Sequence, residues 1–259
     1  MTARWSVLGG SVAGGAHARA GVSGQDAYAM REVDGTLLLV AADGAGSRRC
    51  AATGASLVVT LAVRVFVALA ADGPPTTAAD WSRLLDVAWD RLSRRFRRAA
   101  RALARAAGDL DPEDLATTVT VVVARPPWVA VLAVGDGAVV VRAADGNLDL
   151  LLAPPGGADQ PPGVTTLLPA ARARRRARRL VARLPDLTGL AVCTDGLDNL
   201  LVEYDGSQPR QAAAAAFAQL FALVEAADPD PTALTRVLGG RRVGALTDDD
   251  RTLLLAVPR

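Results

Sequence analysis

Four acidic points in this sequence stand where chemistry explains them better than packing does. Asp43 closes the apolar run 36–42, and Asp195 closes the run 187–194. Each is followed by glycine and then by helix-like sequence, so neither position requires aspartate for a turn. Asp26 stands just before another strand-like run, and Asp248-Asp249-Asp250 stand just before the last one. A charge at the end of a buried strand is costly unless something pairs with it. Hard divalent cations such as Mg²⁺ and Mn²⁺ take oxygen ligands of this kind. Two ions sharing a carboxylate can hold a water between them, lower its pKa and clamp a phosphate. Carboxylates alone suffice for this, which suits a chain whose one histidine is His17.

Aspartate followed by glycine is also a common turn signal, so the other pairs are read by context. Asp34 and Asp145 sit between strand-like runs of similar length and read as hairpin turns. Asp72 and Asp205 lie among Pro, Ser and Gly and read as loop. Asp136, in Gly135-Asp136-Gly137, is open between a plain hairpin and a further acidic point.

Composition removes several chemistries. With 51% hydrophobic and 22% charged residues the chain reads as globular, and its net charge is only +2. It has no lysine, which excludes a P-loop lysine, a Schiff-base lysine and a kinase ATP-pairing lysine. Cys50 and Cys193 lie far apart, and with one histidine they cannot supply the usual ligand set of a structural zinc site; they read as reduced thiols. Gly44-Ala45-Gly46-Ser47 lacks the third glycine of a dinucleotide loop. Two stretches, 91–105 and 172–183, are rich in arginine: the first reads as a solvated helix face, the second fits no pattern, and both could attract an acidic phosphoprotein. Nucleic-acid binding is disfavoured, because aromatics make up 4% of residues and stacking is poorly supplied. No signal peptide is visible at the start. The most membrane-like segment, 55–71, is interrupted by Arg64 and short for a span, so it reads as a buried helix. The expectation is a soluble, cytoplasmic monomer.

The elements that must position the aspartates follow in order. Residues 4–10 form a short strand, and 9–24 are rich in Gly, Ala and Ser. Runs 27–33 and 36–42 are strands joined by Asp34-Gly35, a tight hairpin signal. A helix over 49–71, with Ser47 as a cap, precedes a second helix over 77–107. On that second helix Trp81, Leu85, Ala88, Leu92, Phe96, Ala99 and Leu103 form one apolar stripe. Strands return at 117–124, 128–134, 138–142 and 148–152. A Pro/Gly-rich loop covers 153–163, and a strand covers 187–194. Helical sequence spans 211–227 and 231–238, before a final strand at 252–257. Runs of like elements predict an α+β fold with helices packed on sheets.

The acidic points fall within six ordered motifs. These are Ser-Gly-Gln-Asp-Ala at 23–27, Val-Ala-Ala-Asp-Gly-Ala-Gly-Ser at 40–47 and Ala-Thr-Thr-Val-Thr at 116–120. They continue with Ala-Val-Gly-Asp-Gly at 133–137, Cys-Thr-Asp-Gly-Leu-Asp at 193–198 and Asp-Asp-Arg-Thr at 249–252. In this order they resemble the type 2C (PPM) metal-dependent protein Ser/Thr phosphatases, bacterial members above all. The resemblance implies a single domain over 1–259: a four-layer α-β-β-α sandwich of two antiparallel sheets flanked by helices, with a variable flap at 153–186. It implies two Mn²⁺ or Mg²⁺ ions, and a third at a weaker site. By that likeness Asp43 would bridge both ions, the Gly44 carbonyl would bind one, and Asp195 and Asp249 would complete the other. Asp26 would hold a bound water, and Asp136 would serve the third site. Arg19 and His17 would meet the phosphate. The implied substrate is a phosphoserine or phosphothreonine protein made by a Ser/Thr kinase. Two departures stand out: Gln25 replaces a glutamate common in the family, and Ala45 replaces a histidine common in its eukaryotic members. They motivate an alternative reading, a pseudophosphatase that binds phosphoproteins without turnover.

Overall fold

The computed structural model of the chain describes residues 5–155 and 165–259. Its first half runs β1 (Trp5–Val12), α1 (Gly15–Ala20), β2 (Ala27–Val33), β3 (Thr36–Ala42), α2 (Ala51–Ala70), α3 (Ala78–Ala107), β4 (Val119–Arg125), β5 (Trp128–Val134), β6 (Ala138–Ala143) and β7 (Leu148–Leu152). The second half runs α4 (Ala173–Arg176), β8 (Arg178–Arg183), β9 (Leu187–Cys193), α5 (Asp198–Leu201), β10 (Val202–Asp205), β11 (Gln208–Ala212), α6 (Ala214–Glu225), α7 (Ala233–Leu238), α8 (Arg241–Gly244) and β12 (Arg251–Pro258). Two five-stranded antiparallel sheets result, ordered β1-β12-β9-β6-β7 and β2-β3-β4-β5-β8. A small β10-β11 hairpin stands apart.

The apolar runs are continuous because both faces of each sheet are covered. Successive side chains of a strand point to opposite faces. On β3, Leu37, Leu39 and Ala41 meet the other sheet, packing with Val192 and Leu254. Leu38, Val40 and Ala42 face the opposite way, onto α2 and α3. On β12, Leu254 and Ala256 join the core between the sheets, while Leu253 and Leu255 pack on α6 and α7. The architecture is therefore the expected α-β-β-α sandwich. Asp34 and Gly35 take φ 49° and 76°, so β2 and β3 are joined by the predicted tight turn.

Several local expectations are corrected. Ser47 does not cap α2: the helix starts after Cys50 and has no side-chain cap, and the Cys50 N–H donates instead to the Asp114 carbonyl. Thr77 does cap α3, with Asp80 completing a capping box. The α3 stripe holds from Trp81 to Phe96 but then shifts by one residue. Ala100 and Ala104 are buried, whereas Leu103 is 41% exposed. The arginine-rich stretch contains an edge strand, β8, paired with β5. Asp205-Gly206 is a hairpin turn between β10 and β11 rather than open loop. Of the segment 153–186, residues 156–164 lie outside the described residues, as do residues 1–4. α2 is long and apolar enough to cross a membrane by composition, but Val58, Ala62, Val65, Phe66 and Leu69 are buried in the core against α3 and the sheet.

Candidate active site

Asp43 follows β3 at the edge of the sandwich, and its backbone is pinned before its side chain does anything. Its N–H donates to Thr118 Oγ1 at 2.8 Å. Its carbonyl accepts from Thr117 Oγ1 and from the Thr118 N–H, both at 2.8 Å. The two threonines thus explain the motif at 116–120: they fix the strand end that carries the carboxylate. Gly44 comes next because nothing larger fits. A Cβ there would sit 2.6 Å from the Ala51 carbonyl oxygen. Among the described residues nothing donates to the Gly44 carbonyl, which leaves that oxygen free for a cation.

Asp195 follows β9, between β6 and β12 in its sheet. A Cβ on Gly196 would lie 1.9 Å from the Asp250 carbonyl. Only glycine lets the Asp195 turn approach the loop that carries Asp249. Asp26, just before β2, accepts from Thr194 Oγ1 at 2.9 Å through Oδ2. Its Oδ1 is buried and has no partner.

These four aspartates feel one another. Burial, then the charges of Asp26, Asp195 and Asp249, push Asp43 up to about 10. Burial, then Asp136 and Asp249, push Asp195 up to about 8. Burial raises Asp26 to about 6, partly offset by the hydroxyls of Thr252 and Thr194. Among the described residues no arginine forms an ion pair with any of the four. Three half-buried carboxylates and the exposed Asp249, without a basic partner, are a setting that divalent cations satisfy. The carboxylates do not already form a closed ligand set: among the described residues no three acidic, His or Cys groups are arranged around one point. A cation would have to draw them together. The donor set is all oxygen, and the orphaned Asp26 Oδ1 and the free Gly44 carbonyl add to it, so the residues fit hard divalent ions.

Asp136 belongs to the same field. Its charge raises both Asp195 and Asp198, and burial is the first cause in each. Thr165 Oγ1 donates to Asp136, and Arg178 donates to the neighbouring Gly135 carbonyl at 3.0 Å. One arginine of the 172–183 stretch therefore holds the turn that presents Asp136.

The other two expected residues lie on α1, docked on the 248–250 loop. Arg19 forms a two-pronged ion pair with Asp248 at 3.1–3.2 Å, both side chains about two-thirds exposed. His17 Nδ1 lies 2.8 Å from Asp250 Oδ1. The three consecutive aspartates thus divide the work. Asp248 holds Arg19, Asp249 turns to the cluster, and Asp250 binds the backbone. Asp250 is 2% exposed; it accepts from the Gly14 N–H at 2.6 Å and from the Gln25 N–H at 2.5 Å. Burial alone would raise its pKa, but these donors and His17 outweigh it and hold it below the usual carboxylate range.

Sequence reasoning missed Asp250, Thr117, Thr118, Thr194 and Asp198. Asp250 was hidden inside a run of like residues. Asp198 stands in the 193–198 motif, and burial pushes it up to about 7 while the Tyr204 hydroxyl donates to it at 3.2 Å. An apolar cavity of about 210 Å³, lined by Leu38, Phe66, Trp81 and Val123, opens beside the Asp34 turn at the opposite end of β3. None of Asp26, Asp43, Asp195 or Asp249 lines that cavity.

A family model described as Protein phosphatase 2C matches residues 13–239. No curated protein matches the chain by sequence. Solved structures that share its fold include a bacterial serine phosphatase, with TM-score 0.66 and 13% identity over 98% of each chain. PppA of Pseudomonas aeruginosa, described as a key regulatory component of the T6SS, aligns with TM-score 0.62 and 18% identity over 98% of each chain. The catalytic domain of the serine/threonine protein phosphatase PstP, in complex with two manganese ions, aligns with TM-score 0.63 and 16% identity over 99% of each chain. At these identities the structural likeness is one of fold.

Proposed function

Because this chain belongs to the protein phosphatase 2C family, we propose that it hydrolyses phosphoserine and phosphothreonine in proteins, using divalent cations held at the acidic edge of the sandwich. The observation that carries this reading is the convergence of Asp26, Asp43, Asp195 and Asp249, from four separate places in the chain, with no basic partner among them. Bound Mn²⁺ or Mg²⁺ would supply an acidified water and positive charge to meet the phosphate.

The residues take distinct parts. Asp43, fixed by Thr117 and Thr118, would be the central ligand of the ions. The Gly44 carbonyl, Asp195 and Asp249 would complete the set, and Asp136 would serve a weaker third position. Asp26, held by Thr194, orients the attacking water through its free Oδ1. That water would displace the Ser or Thr oxygen of the substrate directly, without a phosphoenzyme. Arg19 exchanges the carboxylate of Asp248 for the substrate phosphate. His17, anchored by Asp250 through Nδ1, offers its other ring nitrogen to a phosphate oxygen. The substrate is a phosphoprotein made by a Ser/Thr kinase, and the enzyme works as a monomer.

The test is phosphate release from a phosphothreonine peptide with Mn²⁺, with Mg²⁺ and with EDTA, on wild type and Asp43→Asn. Turnover should require the metal and fall by about a hundredfold or more in the variant, in line with the loss of a main electrostatic group. Tight peptide binding without metal-dependent turnover would instead establish the pseudophosphatase reading, which Gln25 and Ala45 motivate.

A further inference from the structure

The C-terminal half of α3 carries seven arginines between 91 and 105 and no acidic residue. Arg94, Arg97, Arg98, Arg101 and Arg105 alone line one open cleft on its outer face. Arg94, Arg98, Arg101 and Arg105 follow helical spacing and form a stripe about 16 Å long at 1.5 Å per residue. Acidic partners are few. Among the described residues the only carboxylate paired with any of these five is Asp90, which meets Arg94 at 3.6 Å and also lies 4.0 Å from Arg174. Asp86 is taken by Arg179 at 3.1 Å, and Asp109 by Arg49 at 2.8 Å. α4 packs beside the same helix, with Ala173 in its core, and adds the exposed Arg174, Arg175 and Arg176.

Helix-end electrostatics do not account for the stripe. The helix dipole favours cations only in the last turn, which covers Arg105 but not Arg94, Arg97 or Arg98. Packing does not account for it either, because the buried positions of this half are Leu92, Ser93, Phe96, Ala100 and Ala104. The place of the stripe is telling. After Gly108 caps α3, the chain passes through the turn Pro112–Leu115 to Thr117, whose hydroxyl holds the Asp43 carbonyl. The stripe therefore runs toward the edge of the sandwich that carries the acidic cluster.

We infer that this arginine face docks an acidic segment of the phosphoprotein substrate, flanking the residue to be dephosphorylated. The inference rests on the phosphatase reading and narrows its substrate class. An extended segment advances about 3.3 Å per residue, so about five residues rich in Asp, Glu or further phosphates cover the stripe. Nucleic acid is the weaker occupant: Phe96 is buried and the stripe exposes no aromatic ring on which bases could stack.

The experiment compares two phosphothreonine peptides, one with a five-residue acidic flank and one with a neutral flank, on wild type, Arg98→Gln/Arg101→Gln/Arg105→Gln, and the corresponding triple Glu variant. p-Nitrophenyl phosphate reports the chemistry alone. Circular dichroism melts confirm folding, and the milder Gln variant carries the conclusion if the Glu variant does not fold. The wild type should favour the acidic peptide through a KM lower by about tenfold, an advantage that fades with salt as screening predicts. Both variants should lose that advantage with kcat and p-nitrophenyl phosphate turnover unchanged. An acidic-to-neutral KM ratio near one in wild type, or a ratio unchanged in the Gln variant, overturns the inference. Fluorescence anisotropy of the labelled acidic peptide on metal-free protein reads docking without catalysis, so absent turnover with arginine-dependent binding would sink the phosphatase reading while leaving the docking face standing. Tighter binding of a DNA duplex than of the acidic peptide in the same assay, at physiological salt, would overturn the assignment to a protein partner.

Discussion

The Asp250 carboxylate is not itself an expected metal ligand, yet it ties together the two chain segments that carry Asp26 and Asp249. Its Oδ1 accepts from the Gly14 N–H and meets His17, and its Oδ2 accepts from the Gln25 N–H. The loop from 14 to 26 is thereby tied to the loop that presents Asp249. Hydrogen bonds to a charged group contribute about 1.5–3 kcal/mol each, and orphaned buried donors add a penalty. Asp250→Ala should therefore destabilise the protein by about 3 kcal/mol in urea melts and weaken Mn²⁺ binding. Asp250→Asn should recover less than half of that loss, because an amide offers one acceptor oxygen where the carboxylate offers two. A variant as stable as wild type would show that the 14–26 loop is held by something else. The aspartates at strand ends were legible in the sequence, since a charge closing an apolar run demands a reason. Asp250 was not, because three consecutive aspartates look alike until the backbone separates their directions.

At the scale of elements, α3 shows what periodicity can and cannot fix. Counting steps of three and four from Trp81 leads to Phe96 correctly and then to Ala99 and Leu103, whereas the protein buries Ala100 and Ala104. A single residue of phase, about 100° around a helix, decides the matter. The consequence is measurable. Ala100→Leu forces a larger side chain into a fully buried site and should cost about 1–3 kcal/mol. Leu103→Ala, on a side chain 41% exposed, should change stability by less than about 0.5 kcal/mol. Thermal melts of the two variants would reverse in order if the predicted stripe were the true one. Strands were easier to read, and β2, β3, β5 and β7 fall at the expected boundaries: β3 and β5, buried on both faces, show as continuous apolar runs, and the more exposed β2 and β7 are set off by the Asp34-Gly35 and Asp145-Gly146 turns. β8 was hidden because it is an edge strand loaded with arginine, a composition that protects sheet edges from pairing with other chains. The β10-β11 hairpin was hidden for a similar reason, since most of its side chains face solvent.

At the scale of the whole molecule, the acidic cluster sets a conflict between folding and charge that metal binding would relieve. Asp26, Asp195 and Asp43 are pushed up to about 6, 8 and 10, with burial the first cause in each. An unfolded carboxylate titrates near about 4. Between these values the folded protein holds more protons than the unfolded chain, so raising the pH favours unfolding. The stability these groups allow is complete below about pH 4 and is lost as pH rises through 6, 8 and 10. Asp250 acts in the opposite sense: its lowered pKa contributes stability that is present above the unfolded value and disappears as pH falls through the folded one. In EDTA the melting temperature should therefore pass through a maximum on the acid side of neutrality and fall toward about pH 9. Mn²⁺ binds the deprotonated carboxylates and competes with protons, so its stabilising effect should grow with pH. Melts with EDTA and with Mn²⁺ should converge near about pH 5 and diverge steadily above it, and Asp43→Asn should flatten the EDTA curve by removing the most strongly raised member. A metal effect of the same size at every pH would mean that the four carboxylates do not share one site.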